Sequence, residues 1–230
     1  MPGTQEVEKP MGFLLFVLLG GVFLFCVLSI LRRIFNPKIR PQELGGLAGQ
    51  LGLEFAEQGS LAILNRDRFI LFNLGREWRY CNILRGTVDG VRVAVFDYQF
   101  TMGTFRTQRT FHQTVCAVLD EKLDLPRFEL KPIGFSHNLE DLFGYQDIDI
   151  IENTEFSREY VLRAESEDAI RAAFTPDVLS FFEARPGLNV EGGGDAIIFF
   201  RAGQQLEADA IQDFLMEGIR GLMVFRGKGS

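Results

Sequence analysis

The chain has 230 residues, of which 47% are hydrophobic, and its 31 acidic side chains outnumber 24 basic ones, for a formal net charge of −7 at pH 7. Nucleic-acid binding rests on a basic surface that neutralises phosphates, so this charge argues against nucleic acid as a partner. The length and the many Phe, Leu, Ile and Val residues allow the chain to bury a core without disulfides.

The first predicted element is a transmembrane helix at residues 11–31 (MGFLLFVLLGGVFLFCVLSIL), a stretch of 21 residues without a charged side chain. At 1.5 Å of rise per residue, a helix of this length spans the roughly 30 Å hydrocarbon core of a bilayer. A cleaved signal peptide fits less well, because Glu6 and Glu8 precede the stretch and no small-residue cleavage pattern follows it. A buried core helix is the other alternative, although most soluble helices have a polar face.

Basic side chains follow this stretch within the juxtamembrane spacer 32–40, namely Arg32, Arg33, Lys38 and Arg40. Because positive flanks stay in the cytoplasm, we expect residues 1–10 to be a short extracytoplasmic N-terminus and residues 41–230 to be a soluble cytoplasmic domain at the cell (inner) membrane. The four cations either contact anionic lipid headgroups or only set the topology.

The domain begins with a predicted amphipathic helix, since Leu44, Leu47, Ala48 and Leu51 recur at helical spacing. A β-hairpin follows, with strands at 80–88 and 91–101. Its Asp89-Gly90 turn supplies the positive φ angles of type I′.

Further strands are predicted at 107–119 and 127–132, with Pro126 as the break between them, and these would continue an antiparallel meander. A short helix or turn is predicted at 138–144 and another strand at 157–164.

Two short helices follow up to about Arg185, one capped by Ser166 and one that starts at Thr175-Pro176-Asp177. Residues 188–191 and 195–201 are predicted to be strands joined by a turn at Gly192-Gly193-Gly194, which lacks the features of a phosphate loop.

The last predicted element is an amphipathic helix. Its apolar stripe consists of Ile211, Phe214, Leu215, Gly218, Ile219 and Leu222, and the opposite side carries Glu207, Asp209, Asp213 and Glu217. The sequence therefore predicts an N-terminal transmembrane helix and an α+β domain with about seven mostly antiparallel strands, short helices and this C-terminal helix.

Residues 80–101, 107–119 and 155–201 resemble a family of uncharacterised bacterial membrane proteins with one N-terminal anchor and a domain of unknown function. The likeness includes the AFTP helix start and the VEG hairpin. The resemblance implies a bacterial inner-membrane location and supplies no activity, ligand or catalytic residue.

No motif for catalysis, a cofactor or a metal is recognisable. The cysteines Cys26, Cys81 and Cys116 and the histidines His112 and His137 lack the spacing of a zinc site. His112 and Cys116 share one face of a predicted strand, but their Cα atoms would lie roughly 13 Å apart, too far for a catalytic pair. We therefore predict no catalytic residue, cofactor or metal ligand.

The positive charge of the domain is concentrated in residues 66–109, which hold eight arginines and four acidic residues, whereas the rest of the chain after residue 109 is acidic. This predicts a positive face that rests on the cytoplasmic leaflet or on an acidic protein partner, with Arg76, Arg79, Arg106 and Arg109 as its candidate contacts. The alternative is that the arginines pair internally with acidic residues.

The leading functional hypothesis is a membrane-anchored, cytosol-facing binding or scaffolding module without catalytic activity. The alternative is a membrane-tethered hydrolase or metal-dependent enzyme that uses the carboxylates of Asp97, Asp147 and Asp149. A third hypothesis is a homo-oligomeric envelope component whose anchors approach at Gly20-Gly21, although adjacent glycines do not form the G-x-x-x-G pattern. The oligomeric state is left open.

Overall fold

A computed structural model of the protein describes residues 18–24, 39–61, 63–133, 146–148 and 156–227, with the backbone alone for 146–148. The chain divides into two units, residues 1–42 and 43–230. In the first unit, residues 18–24 are helical with exposed side chains, and the rest of the predicted membrane span at 11–31 lies outside the described residues. Within the described part of the chain, no helix is both long enough and apolar enough to cross a membrane.

The second unit is an α+β structure with nine strands among the described residues. The strands are β1 (Glu54–Gln58), β2 (Arg76–Val88), β3 (Val91–Met102), β4 (Arg109–Leu119), β5 (Leu125–Pro132), β6 (Gln146–Ile148), β7 (Tyr160–Ala164), β8 (Asn189–Gly194) and β9 (Ala196–Phe200). The helices are α1 (Ile39–Gln50), which begins in the first unit, α2 (Phe156–Glu159), α3 (Glu167–Ala173), α4 (Pro176–Glu183) and α5 (Ile211–Phe225).

All nine strands belong to one sheet in the order β1-β2-β3-β4-β9-β8-β5-β7-β6, and every neighbouring pair is antiparallel. The α+β class and the antiparallel sheet are confirmed, and the described residues contain two strands more than predicted. The additional strands are β1 and the short β6, whose sequences are too brief and too polar to give a clear strand pattern.

The predicted hairpin is present as β2 and β3. Val88 pairs with Val91 across the turn, and Asp89 and Gly90 have φ angles of 50° and 78°, as a type I′ turn requires. The predicted helices at 166–185 are present as α3 and α4, and the Ser166 hydroxyl accepts the Ala169 amide.

The predicted meander is wrong beyond β4, because β9 and not β5 pairs with β4. Val115–Leu119 and Ala196–Phe200 are both buried strands, and their pairing completes the centre of the sheet. Pro126 does not separate two strands but lies inside β5. The register shifts between Leu125 and Phe128 at that point, which is the kind of irregularity where a strand accommodates proline.

Two further predictions require correction. Residues 157–159 belong to α2, so the following strand begins only at Tyr160. Gly192 and Gly193 lie within β8 and not in the predicted turn, and only the third glycine, Gly194, takes part in the reversal, together with Asp195. Gly192 must lack a side chain because its Cβ would overlap the ring of Phe128 on the neighbouring strand. The predicted element at 138–144 lies outside the described residues.

Both faces of the sheet are apolar, and each has its own cover. The helix-covered face packs against buried residues of α1, α3, α4 and α5. The loop-covered face packs against residues 61–74, excluding residue 62, which include two short 3-10 turns. On this second face, Phe72 meets Tyr98 edge to face at 5.2 Å between ring centroids.

The predicted apolar stripe of the C-terminal helix is confirmed, since all six of its residues are buried in α5. Glu217 was predicted to lie on the exposed side, and this is wrong. Its carboxylate forms ion pairs with Arg185 and Arg201, each at 3.3 Å, and its side chain is only 18% exposed. The two arginines come from the end of α4 and from the residue after β9, which the sequence alone does not place together.

Gly221→Ala should destabilise the protein, because a Cβ at this position of α5 would lie 2.6 Å from the buried ring of Phe199. Overpacking of this kind costs about 1–3 kcal/mol and should exceed the gain in helix propensity. Gly46→Ala is the matched control: it lies in α1 with nothing within 4 Å, so alanine there should stabilise the helix by roughly 0.5–1 kcal/mol. Chemical unfolding of the full chain in mild detergent, followed by the fluorescence of its one tryptophan, measures both variants. Equal stability of the two variants would contradict this account of the close packing.

Candidate functional site

The start of β2 and the turn between β3 and β4 meet at one end of the sheet. The Arg76 guanidinium donates from Nη1 to the Gly103 carbonyl at 3.0 Å and from Nη2 to Gln108 Oε1 at 3.4 Å. Gly75 and Gly103 have φ angles of 63° and 94°, which few other residues adopt, so glycine allows the chain to bend at both places. We call residues 75–79 and 102–109 the arginine-rich end.

The arginine-rich end is exposed and positively charged. It contains all four candidate arginines, Arg76, Arg79, Arg106 and Arg109, and their side chains are exposed. The side chains of Phe105 and Trp78 are 97% and 42% exposed, which is unusual for large hydrophobic residues. The single acidic residue of the arginine-rich end is Glu77. The structure therefore brings two segments, distant in sequence, into one cationic and aromatic surface.

The other arginines of residues 66–109 have partners inside the domain. Arg66 donates to the Phe72 carbonyl and lies over the Trp78 ring at 4.8 Å. The remaining three form ion pairs, Arg68 with Asp195 at 2.6 Å, Arg85 with Glu54 at 3.0 Å, and Arg92 with Glu121 and Asp195 at 3.8 and 3.7 Å. Among described residues, no acidic side chain pairs with the four arginines of the arginine-rich end. Internal pairing thus accounts for three arginines and leaves the positive charge at this end.

The juxtamembrane cations lie mostly outside the described residues, namely Arg32, Arg33 and Lys38. Arg40 is described and lies half-buried in α1. The structure therefore gives no joint surface for these four residues.

The carboxylates of the enzyme alternative are not gathered into one site. Asp97 is 4% exposed and accepts hydrogen bonds from Asn82 Nδ2 at 2.8 Å and Thr114 Oγ1 at 3.1 Å, so it ties β2, β3 and β4 together. Asp147 lies on β6, and five strands separate β6 from β3. At roughly 4.8 Å per strand, the two positions are about 29 Å apart along the sheet. Asp149 lies outside the described residues.

The two described cysteines are free thiols. Cys116 is fully buried, and burial raises the pKa of its thiol far above the ordinary value, which keeps it protonated and unreactive. His112 is exposed on the same strand and is not a partner for this thiol. Over the described ranges, no group of three or more metal-ligating side chains occurs.

A polar pocket lies on the loop-covered face where β4, β9, β8 and β5 meet residues 61 and 63–74, which we call the cover segment. Its volume is about 50 Å³. Its apolar walls are Leu71, Leu74, Phe100, Phe200 and Ala202, and its polar lining is Gln113, Glu129, Lys131, Asn189 and Glu191. None of these polar residues was predicted from the sequence to belong to a site. The alternation of polar Asn189 and Glu191 with apolar Val190 was a signal for one polar strand face, but the run of glycines after them suggested a turn.

Glu191 is the most deeply buried charged-type side chain of this pocket, at 3% exposure. Its two carboxyl oxygens accept the Leu71 amide at 3.1 and 3.2 Å. Burial, followed by the negative charge of Glu129, raises the pKa of Glu191, while backbone amides and Lys131 oppose the rise, and the pKa that results is about 8. Glu191 is therefore mostly protonated at neutral pH. The Leu71 carbonyl accepts the Tyr98 hydroxyl at 3.3 Å, so the cover segment is held through both sides of one residue.

A larger groove of about 710 Å³ lies on the helix-covered side between α3, the end of α5 and residues 122–126. Its lining is mainly Ala, Leu, Pro and Phe, and it includes the charged residues Lys122, Asp124 and Arg226. Arg226 pairs with the buried Asp120, so this cation serves the packing of the helix end. The groove gathers no set of convergent polar groups.

Glu191→Gln should remove a pH-dependent loss of stability. The folded pKa of Glu191 is about 8, and the unfolded value is about 4.3, so between these values only the folded state holds the proton. The free energy of unfolding should therefore fall as pH rises through this window, by up to about 1.4 kcal/mol per pH unit, and glutamine should flatten the dependence. Urea unfolding of the full chain from about pH 5 to pH 8 measures this. Glu57→Gln, at an exposed position, is the control, and curves for Glu191→Gln that run parallel to wild type would refute the prediction.

Comparison with known proteins gives the fold and little more. No protein-family model matches the chain, and no curated protein matches it. A similar solved structure is the crystal structure of the mycobacterial trehalose monomycolate transport factor A, TtfA, with a TM-score of 0.59 and 12% sequence identity. The match covers 80% of this chain and 93% of that chain. At this identity the similarity shows that the two share a fold, and function must be argued from the residues of this chain.

Proposed function

We propose that this chain is a membrane-anchored, cytosol-facing binding module without catalytic activity, and that its arginine-rich end rests on anionic lipid headgroups of the inner leaflet. The observation that carries this proposal is the presence of four exposed arginines without acidic partners in the described structure, next to a phenylalanine that is 97% exposed. Residues 11–31 supply the anchor in this proposal, because their length and lack of charge suit a bilayer span.

Electrostatics favour an anionic membrane surface as the occupant of this end. Each arginine close to such a surface contributes about 1 kcal/mol of attraction. Four exposed arginines against the single acidic residue Glu77 can therefore hold the end at the leaflet, whereas three other arginines of this region already form ion pairs.

The exposed ring of Phe105 also favours a membrane surface as the occupant. Phe105 lies at the tip of the β3–β4 turn, with Arg106 beside it, so an apolar ring and a cation are presented together. This combination matches the boundary between lipid headgroups and acyl chains, where arginine can keep its charged head in water while its stem and the ring enter the interface. A lipid surface therefore accommodates the arginines and the exposed ring together.

The anchor makes a weak contact sufficient. A domain tethered by a membrane span remains close to the leaflet, so the second contact is effectively intramolecular and needs little affinity of its own. The surface would then orient the domain and leave its other faces available to a partner. A solved structure with a similar fold is that of a transport factor, which supports by analogy an accessory role for this chain.

Tryptophan quenching in membranes tests the proposal. The chain has one tryptophan, so the double variant Trp78→Phe, Phe105→Trp places the only tryptophan at the tip of the turn. We expect brominated acyl chains to quench it when the full chain is reconstituted with phosphatidylserine. Quenching should weaken with phosphatidylcholine alone or in about 0.5 M salt, because the attraction is electrostatic and is screened.

Charge reversal supplies the matched comparison. Adding Arg106→Glu and Arg109→Glu should reduce the quenching at least severalfold, because attraction becomes repulsion. Adding Lys122→Glu and Arg220→Glu changes the net charge equally at exposed positions away from this end and should leave the quenching unchanged. Equal quenching with both lipids, or equal loss in both sets of variants, would rule out contact between this end and the leaflet.

A further inference from the structure

Two buried amide groups of the polar pocket lack hydrogen-bond acceptors among the residues that the structure describes. Asn189 and Gln113 are 6% and 1% exposed, and within the described structure Asn189 Nδ2 and Gln113 Nε2 have no partner. The orientation of Gln113 is fixed, because its Oε1 accepts the Gly203 amide at 3.0 Å and the nitrogen must therefore occupy the other position. Leaving a buried donor unpaired is unfavourable, so both amides need an acceptor inside the pocket.

The remaining polar lining balances its own charge. Lys131 and Glu129 form an ion pair at 3.6 Å, with each side chain 16% exposed. Glu191 has a raised pKa and is mostly neutral at neutral pH. A charged ligand would therefore meet no opposite net charge here, and its burial would be unfavourable. The pocket suits a neutral polar group.

A hydroxyl group meets both requirements, since its oxygen accepts a hydrogen bond and its proton can be donated. The oxygen can accept from the amides of Asn189 and Gln113, and the proton can go to a carboxyl oxygen of Glu129. A carbonyl or ether oxygen would use only the donors. The ring of Phe100 and the side chain of Leu74 offer apolar surface for the carbon atoms that carry such hydroxyls.

We propose that this pocket binds the hydroxyl-bearing end of a neutral polyol, as found in a free sugar or in the sugar headgroup of a lipid. The volume of about 50 Å³ holds a few water-sized groups, so two adjacent hydroxyls fit and the remainder of the ligand lies outside. The cover segment completes the site, because Leu71 both lines the pocket and is held by Glu191. Binding at this pocket does not depend on the arginine-rich end.

The test compares wild type with Asn189→Leu in the full chain in phosphatidylcholine nanodiscs. The first arm adds methyl glucoside as the free sugar, and the second uses nanodiscs that contain a monoglucosyl diacylglycerol. Binding is measured by thermal unfolding, because a ligand of the folded state raises the midpoint temperature of unfolding in a saturable way. We expect the wild type to respond in at least one arm and Asn189→Leu to lose roughly tenfold in apparent affinity. A response in the second arm alone identifies the lipid-borne sugar as the source.

Two controls separate binding from other effects. Asn189→Leu without ligand should be at least as stable as wild type, because it removes an unpaired buried donor and keeps a similar volume. Thr101→Val changes a buried side chain that does not line the pocket and should keep the wild-type response. Trimethylamine N-oxide should raise both midpoints equally, since an excluded osmolyte needs no site.

The proposal is overturned if wild type responds in neither arm, or if Asn189→Leu responds as wild type does. It is equally overturned if Asn189→Leu is strongly destabilised without ligand, because the amide would then have a structural partner. Failure of this test leaves the quenching experiment on the arginine-rich end untouched, so the two proposals can fail separately.

Discussion

A single sheet with two apolar faces must be covered on both of them, and this requirement arranges the rest of the domain. One face is buried by helices that carry their own apolar stripes, and α5, with 15 residues, is the longest of them. The other face has no helix of comparable length in the described residues, and an irregular segment at 61–74 covers it instead. An irregular cover has unpaired backbone groups, which must find partners in the sheet below.

That demand explains why a carboxyl group is buried in the sheet. The Leu71 amide needs an acceptor, and Glu191 supplies two oxygens to it. A carboxyl group with this degree of burial favours its neutral form, which reduces the cost of placing it there. Asn189 and Gln113 lie in the same polar region as Glu191, and a small cavity remains between the three side chains. Glu191, which holds the cover segment in place, therefore also belongs to the lining of a pocket that a ligand can occupy.

The arginine-rich end is a separate feature of the same sheet. β2 and β3 extend beyond the covered area, and their ends meet the β3–β4 turn, where no helix or loop of the described chain shields the side chains. Aromatic residues within the core, such as Phe72 and Tyr98, pack against each other, whereas Phe105 remains outside it. Charge and apolar surface are therefore presented together at the margin of the sheet, and the polar pocket is enclosed beneath its cover.

Local patterns in the sequence determined three elements: the Asp89-Gly90 hairpin, the Ser166 cap and the apolar stripe of α5. Each of these elements depends on residues that are only a few positions apart along the chain. The sequence also indicated an excess of arginine in residues 66–109. Tertiary structure alone decided that β9 inserts beside β4 and that Glu217 turns inward to two arginines. It also decided which of the described arginines have no acidic partner within the described residues. It likewise assembled the pocket from Gln113, Glu129 and Glu191, residues up to 78 positions apart by number on separate strands. Strand order and long-range pairing depend on which buried surfaces fit together over the whole domain. The hydrophobic periodicity of a single helix or strand carries no information about that fit.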